Sequence, residues 1–300
     1  MLFGKKPKQP GAGQEQRGGE PIGVVAPPNP GQRAFIDPDG SAVVVQVTAR
    51  GSAEFALARA LELLGGLGNL ARDPVKMAIL LGYEAGGEYP DGPDGEMLSA
   101  LLTYLSPLAS EIVLVGNPAT LEAVPEGALG TLAESRGRID AGDRVLVQPL
   151  NRRLDRVSIS KALYYANLRV VLCGMGTHAK LRYHAALAAP FFALHGSEQR
   201  RILRGPVEQR VAEIGLACPP HLVVVDARRS RIAGLPGEEP VSPGVLLLAS
   251  DPVALDASAV RIIQSYRGRN TVQGPPAQLP GIAHAAALRL GRTTWHGIRG

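Results

Sequence analysis

Short, continuously apolar runs alternate along this chain with segments in which apolar residues recur every three or four positions. Continuous apolar runs are typical of strands buried on both faces of a sheet, and the recurring pattern is typical of helices packed on those faces. The strand-like runs are SAVVVQVTA, KMAILLG, EIVLVG, RVLVQP, NLRVVLCG, HLVVVDA and GVLLLAS. This alternation predicts an α/β fold with a layered, mostly parallel sheet that is flanked by helices.

Capping residues predict where two of the helices begin. Asn117 followed by Pro118, and Asp251 followed by Pro252, each combine a side chain that caps free N–H groups with a proline suited to the first turn. Further helices are predicted in AEFALARALELL and GEMLSALLTYL, over residues 182–194 and 198–214, and, from a weaker pattern, over residues 282–290. The Arg- and Gly-rich C-terminus is expected to fray.

Composition divides the chain into three parts. Residues 1–40 are rich in Gly, Pro, Gln and Lys, which predicts a flexible tail with one short extended segment at Ile22–Ala26. Residues 41–270 form the predicted single α/β domain, and residues 271–300 a C-terminal extension with a short helix. Because the tail has little apolar surface to bury, we expect residues 1 to about 38 to be dispensable for folding.

The overall composition excludes several classes of protein. Hydrophobic residues make up 45% of the chain, so a sizeable core is available. Two cysteines are too few for a disulfide framework, an iron–sulfur cluster or a four-thiolate zinc site. The net charge of +5 is spread over scattered Arg pairs and the chain has one Trp, so no nucleic-acid partner is expected. No signal peptide or spanning segment is recognisable, which favours a cytoplasmic protein without a membrane partner.

Ligands of α/β proteins bind beyond the carboxyl ends of the strands. The loops to consider are therefore those after Gly82, Gly116, Gly174, Asp226 and Ser250. None of these loops carries a glycine fingerprint for phosphate or dinucleotide binding. A nucleotide cofactor is therefore unsupported by the sequence, and the cofactor stays unknown.

The densest polar segment is CGMGTHAKLRYH, which follows a predicted buried strand. Its residues His178, Lys180, Arg182 and His184 could hold a carboxylate or a phosphate, and His178 could act as an acid or base. Six positions separate the two histidines, which is not the spacing that places two imidazoles on one helix face for a metal. The alternative is a basic helix start that faces solvent.

Four carboxylates are further candidates. Asp226 ends the strand HLVVVD and could bind a ligand or cap the following turn. Glu84 lies in the loop LGYEAGGEYP after another predicted strand and could bind a ligand. Helix capping is enough to explain Asp251, although a ligand contact stays open. Asp256 projects onto the apolar face of its helix, where an ionised carboxylate needs a partner. That partner is either a structural Arg or Lys, or a ligand site.

The run HLVVVDARRSRIAGLPGEEPVSPGVLLLASDPVALDASAVRII resembles the signature of the family known as domain of unknown function 362. In that family a strand ending in Asp and a glycine-proline loop precede a strand and a helix with D-P-V-A-x-D. The segments GMGTHAKLRYHAAL and, more loosely, LGYEAGGEYPDGPDGEMLSALLTYL are similar to earlier parts of the family. The resemblance spans about Val75–Ile263 and implies that His178, Asp226, Asp251 and Asp256 occupy recurring polar positions.

The chain also departs from this family pattern. Phe192 and Ala193 stand where a Lys-Asn pair is expected, and Tyr83 and Glu84 stand where Lys and Asn are usual. Members with a ferredoxin-like segment need more cysteines than this chain has. The resemblance implies a divergent member, and the family implies no agreed reaction.

Two hypotheses about function follow. In the first, the protein binds a small, anionic ligand at the carboxyl ends of the strands and could be an enzyme. Lys180 and Arg182 would then contact the anion, and Asp226 and Asp256 would position it or hold a metal. In the second, the protein is a non-catalytic scaffold that kept the fold and lost the chemistry. The sequence leaves the substrate, any metal and the oligomeric state open.

Overall fold

The protein was described from a computed structural model, which covers residues 24–28, 34–84, 87–149, 152–232 and 239–300. The strands within these ranges are β1 (Val24–Val25), β2 (Ala42–Thr48), β3 (Val75–Gly82), β4 (Ala109–Val115), β5 (Gly137–Ile139), β6 (Arg144–Val147), β7 (Val157–Ser160), β8 (Leu168–Cys173), β9 (Gly176–His178), β10 (Arg182–His184), β11 (Leu222–Ala227), β12 (Val245–Ala249) and β13 (Trp295–Arg299). The α-helices are α1 (Ala53–Leu63), α2 (Gly95–Leu105), α3 (Pro118–Glu122), α4 (Glu126–Glu134), α5 (Lys161–Tyr165), α6 (Ala189–Phe192), α7 (Gly196–Ile202), α8 (Val207–Ala217), α9 (Pro252–Ser265) and α10 (Pro280–Ala287).

The main sheet has eight strands in the order β13-β2-β12-β11-β8-β3-β4-β5. Pairing is parallel everywhere except on the two sides of β12. Strands β8, β11 and β12 are buried along their whole length, because helices cover both faces of the sheet. The predicted fold class, a layered α/β fold with a mostly parallel sheet, is confirmed.

Strand β12 runs opposite to its neighbours, and this reversal decides which loops meet. Its last residue, Ala249, pairs with Val223 near the start of β11, whereas Val245 pairs with Ala227 at the end of β11. The loop after Ser250 therefore lies at the edge of the sheet opposite to the carboxyl ends of β3, β8 and β11. The expectation that this loop joins the others at one edge was wrong.

Two groups of helices enclose the sheet. Helices α1, α2 and α4 pack on one face, and α6, α8, α9 and α10 pack on the other together with a small sheet. The side chains of Ser52, Asp94, Asn117 and Asp251 cap α1, α2, α3 and α9 by accepting N–H groups of the first turn. The helix starts predicted at Asn117 and Asp251 are confirmed.

Three predictions about secondary structure were wrong. The predicted helix over residues 182–194 is instead β10, paired with β9, and the short helix α6. The predicted helix over residues 198–214 is broken between α7 and α8 by Gly205, whose φ of 124° favours glycine, and by Pro206. The C-terminus does not fray, because Trp295–Arg299 forms β13 along β2.

The N-terminal region contacts the domain before residue 41. Strand β1 pairs with β6 in the three-stranded sheet β1-β6-β7, so RVLVQP is a strand but lies outside the main sheet. Phe35 is only 5% exposed and packs with the core. The rest of the predicted tail, residues 1–23 and 29–33, lies outside the described residues. Removal up to residue 38 would therefore delete buried contacts.

The described helices do not reach the combination of length and hydropathy that a bilayer crossing requires.

Candidate functional site

A cavity of about 310 Å³ lies where β3 and β8 end, beside the loop that follows β11. We call it the edge cavity. Its polar lining comprises Tyr83, Glu84, Asp91, Thr177, His184 and Arg231. The strands bring these residues together because β3, β8 and β11 are parallel neighbours with aligned carboxyl ends. Of the residues predicted from the sequence, Glu84 and His184 line this cavity directly.

Glu84 is held by His178 at the rim of the edge cavity. The His178 Nδ1 atom accepts the N–H groups of Lys180 at 3.1 Å and Leu181 at 3.0 Å. The ring hydrogen of neutral His178 therefore lies on Nε2, which is 3.2 Å from Glu84 Oε1. This hydrogen bond lowers the pKa of Glu84. Glu84 is thus a carboxylate at neutral pH, and its side chain remains 58% exposed.

The deep part of the edge cavity contains polar atoms without partners. Tyr83 Oη and His184 Nδ1 are buried, and neither forms a hydrogen bond to any part of the chain that the structure describes. Burial raises the pKa of the Tyr83 hydroxyl, so it remains protonated. Burial also lowers the pKa of His184 to about 4, so the ring is neutral at pH 7. Its ring packs edge-on against Phe192, with centroids 5.5 Å apart.

An ion pair closes one side of the edge cavity. Arg231 Nε donates to Asp91 Oδ1 at 2.7 Å, and its Nη2 pairs with the second carboxylate oxygen. The Arg231 backbone is fixed as well, because its carbonyl accepts from the N–H of Thr177 at 3.0 Å. This bond links the loop after β11 to β9. The side chain that brings a positive charge to the lining is therefore already held in place.

Asp226 lies behind the cavity in a network of charged groups. Its carboxylate is fully buried and accepts hydrogen bonds from the Arg228 guanidinium, with Nη2 at 2.8 Å from Oδ2. The Tyr89 hydroxyl donates to Oδ1 at 2.9 Å. Arg228 also contacts Asp94 Oδ1 at 2.6 Å, which joins this network to the cap of α2. Both carboxylate oxygens of Asp226 accept hydrogen bonds within this network, and Asp226 does not line the edge cavity.

Asp256 occupies a different, much smaller cavity of about 20 Å³, roughly the size of one water molecule. Its Oδ1 atom accepts the Leu187 N–H at 3.2 Å, and among the described residues Oδ2 has no partner. Burial raises the pKa of Asp256 to about 7, although the nearby Tyr183 hydroxyl and the Leu187 N–H limit the rise. Tyr183 lines this small cavity, whereas the next residue, His184, lines the edge cavity. Strand β10 therefore separates the two.

The remaining predicted residues lie apart from the edge cavity. Asp251 caps α9, since its Oδ1 accepts the N–H groups of Val253 and Ala254 at 3.0 Å each. Its Oδ2 accepts the Arg292 N–H at 3.0 Å, far from the carboxyl ends of β3 and β8. Lys180 is exposed and does not line the edge cavity. Arg182 pairs with Glu208 at 3.3 Å and is not part of the edge-cavity lining.

Sequence reasoning missed Tyr83, Asp91 and Arg231 as lining residues. Asp91 lies in a Gly- and Pro-rich loop after a buried strand, which is the position the strand-end rule marks. Arg231 follows an Arg pair, and such a cluster is typical of a solvent-exposed surface. Its position in the cavity lining becomes evident only from its ion pair with Asp91. Within the described ranges no group of three or more His, Cys, Asp or Glu side chains is arranged to hold a metal ion.

One family model, described as Domain of unknown function (DUF362), matches residues 122–261. The match covers a little under half of the chain. It includes β8 to β12, and with them His178, His184 and Arg231 from the surroundings of the edge cavity. Tyr83, Glu84 and Asp91 precede the matched residues. No curated protein matches the chain.

Proposed function

We propose that this chain, whose residues 122–261 match the model of the domain of unknown function 362 family, binds a small polar ligand in the edge cavity. The ligand presents a carboxylate or carbonyl oxygen to the buried end of the cavity. The observation that carries the proposal is the pair of buried, unpartnered atoms Tyr83 Oη and His184 Nδ1. Folded proteins leave very few such atoms, and those that remain call for a bound water, an ion or a ligand.

The chemistry of these two groups indicates what the ligand offers. The Tyr83 hydroxyl stays protonated, so it is a donor that lacks an acceptor. An acceptor oxygen on the ligand would satisfy it, and His184 Nδ1 would take part as donor or acceptor according to its tautomer. A volume of about 310 Å³ lies at the lower end of the range for ligand sites, which suits a metabolite-sized molecule.

The charges of the lining restrict the ligand further. The lining contains two carboxylates, Glu84 and Asp91, against the single guanidinium of Arg231. A ligand with two negative charges would be repelled, whereas a monocarboxylate with a hydroxyl or amino group could donate to Glu84. We therefore favour a small hydroxy- or amino-monocarboxylate. The anion contact would come from Arg231 and the buried hydroxyl, because Lys180 and Arg182 lie outside the cavity.

The same geometry favours binding over catalysis. In the observed arrangement both ring nitrogens of His178 are occupied, so this histidine orients Glu84 and has no free position to accept a proton. The pKa of Glu84 is lowered, which makes its carboxylate a weak base at neutral pH. His178 is thus proposed as a positioning residue, and Glu84 as the ligand contact it positions.

The proposal can be tested with thermal-shift and NMR titrations of 2-hydroxy and 2-amino monocarboxylates, alongside the matching amines without a carboxylate. We expect binding of at least one carboxylate, and a loss of about tenfold or more in Tyr83→Phe, because one buried hydrogen bond is removed. Tyr165→Phe is the control, since Tyr165 is 57% exposed and remote from the cavity. Equal binding by Tyr83→Phe and wild type would contradict the proposal.

The second candidate is a non-catalytic scaffold. It is favoured by the Asp226 network, in which Arg228 and Tyr89 occupy the carboxylate that sequence reasoning assigned to the site. On this hypothesis Tyr83→Phe would raise stability, as expected when an unsatisfied buried hydroxyl is removed, and no carboxylate in the series would bind. The titrations therefore separate the two candidates.

A further inference from the structure

A second cleft, of about 360 Å³, lies between the C-terminal half of α9 and strands β2 and β13. We call it the Trp295 cleft. Its polar side chains are those of Gln46, Ser258, Arg261, Ser265, Arg299 and the half-buried Tyr266. None of its lining residues is shared with the edge cavity. Any ligand of this cleft is therefore separate from the ligand proposed above.

The charge of the Trp295 cleft is entirely positive. Two guanidinium groups, of Arg261 and Arg299, line it, and its lining contains no Asp or Glu. Within the described part of the chain, neither guanidinium forms an ion pair with a carboxylate. By contrast, both acids and the single Arg of the edge cavity are already paired. Two uncompensated cations that face one cleft attract an anion.

Trp295 holds one of these cations in place. The Arg261 guanidinium lies over the indole ring, 4.5 Å from its centroid, which is the geometry of a cation–π contact. Arg299 is four residues further along β13, so the period of a strand places it on the same face as Trp295. Gly297 lies between them and leaves open space. The two guanidinium groups therefore flank a gap, and one of them is oriented in advance.

The walls beside this gap are aromatic and apolar. Tyr266 at the end of α9, together with Ile262, Pro243 and Val245, forms a surface next to the two cations. A planar ring could lie on that surface while an attached anion reached the guanidinium groups. Guanidinium groups match the oxygens of a phosphate particularly well, because they donate two parallel hydrogen bonds.

We propose that the Trp295 cleft binds a small aromatic ligand that carries a phosphate group, of the size of a nucleoside monophosphate. Arg261 and Arg299 contact the phosphate. Tyr266 and its apolar neighbours contact the ring. The ligand needs no glycine-rich phosphate loop, because side chains supply the contacts that such a loop provides through backbone N–H groups.

The protein carries a direct probe of this cleft, since Trp295 is the only tryptophan in the chain. Its fluorescence can be followed while AMP is added to the full-length protein, with calorimetry as an independent measure. Inorganic phosphate and adenosine are titrated separately. We expect AMP to saturate the fluorescence change and to bind more tightly than either part alone, because the cleft contacts both parts.

Variants identify the contacts. Arg261→Gln and Arg299→Gln should each weaken AMP binding about tenfold or more, since each removes a charged hydrogen-bond donor. Arg267→Gln is the matched control, because this exposed Arg lies just beyond α9 and outside the lining. Unchanged melting temperatures would show that all three variants fold, and Arg261→Lys provides a second variant that keeps the charge.

Three results would overturn the proposal. The first is no saturable change with AMP. The second is equal affinity for AMP in the two cleft variants and the control. The third is binding of a single-stranded oligonucleotide without binding of AMP, which would indicate a nucleic-acid surface instead. A negative result for the Trp295 cleft would not contradict the ligand proposed for the edge cavity, because the two share no lining residue.

Discussion

Asp226 and Asp256 are both fully buried, yet their surroundings are opposite. The carboxylate of Asp226 accepts hydrogen bonds from the guanidinium of Arg228 and from the Tyr89 hydroxyl. The carboxylate of Asp256 accepts one backbone N–H and has one oxygen with no partner among the described residues. No Arg or Lys within those residues pairs with it.

The comparison teaches that burial of a carboxylate does not by itself distinguish a structural role from a site. A buried charge is tolerated when an opposite charge and hydrogen bonds compensate it, as for Asp226. Without compensation the group takes up a proton instead, and the pKa of Asp256 rises accordingly to about 7. The two aspartates should therefore respond in opposite directions to the loss of their charge.

The largest effect is expected for Asp256→Asn as a function of pH. The pKa of Asp256 is about 7 in the folded protein and 3.8 in the unfolded reference, so the unfolded state loses this proton first as pH rises. The carboxyl therefore costs stability progressively from about pH 4 to pH 7. Relative to wild type, Asp256→Asn should gain about 4 kcal/mol between pH 4 and pH 8. Denaturant melts at both pH values measure this difference.

The opposite sign is expected for Asp226→Ala at pH 7. The substitution leaves the Arg228 guanidinium partly buried, with Asp94 and the more distant Glu96 as the remaining carboxylates near it. We expect a loss of about 3 kcal/mol in the free energy of unfolding, as for a buried pair broken by removal of one partner. A loss below about 1 kcal/mol, the scale of an exposed pair, would show that Arg228 is satisfied without Asp226.

A third aspartate sharpens the comparison, because Asp251 accepts backbone N–H groups at the start of α9. Asp251→Ala should cost roughly 0.5–2 kcal/mol, and Asp251→Asn or Asp251→Ser much less, since both keep an oxygen that can cap α9. Equal losses in all three variants would indicate that the charge matters and not the cap. Thermal melts of the three variants against wild type decide between these outcomes.

A small effect is also expected for Tyr89→Phe, which removes one neutral donor from the Asp226 network. Its hydroxyl donates to Asp226 and accepts the Arg229 N–H at 2.8 Å. We expect a loss of about 1 kcal/mol, the usual net contribution of one hydrogen bond. If the double variant with Asp226→Ala loses no more than Asp226→Ala alone, the two side chains act as one unit.

The strands and capped helix starts could be predicted because local signals determine them. The run VLLLA of β12 has no polar position to place at a surface, so it must be covered on both sides. The direction of each strand in the sheet was harder to predict. The chain between β11 and β12 is rich in Gly and Pro, and a parallel connection normally contains a helix. That signal could have predicted the antiparallel β12, and with it the position of Asp251.

Other features depend on contacts that are distant in the sequence. Residues 182–184 pair with β9 instead of beginning a helix, and Arg182 adopts a φ of 62°. WHGIR has a glycine and little alternation, and it becomes a strand only because β2 offers an edge. The unpartnered atoms of Tyr83 and His184 have no signature in the sequence, since only the assembled cavity shows what they lack.

The position of β2 in the sheet has a consequence for synthesis of the chain. Both neighbours of β2, the strands β12 and β13, lie about 200 or more residues later in the sequence. At roughly 5–20 residues per second, the ribosome needs on the order of 10–40 s to make the first of them. During that time AVVVQVT emerges from the exit tunnel with neither partner strand yet made. Nascent β2 therefore spends this interval as an apolar strand without its partners, the condition in which strands are prone to pair with other chains.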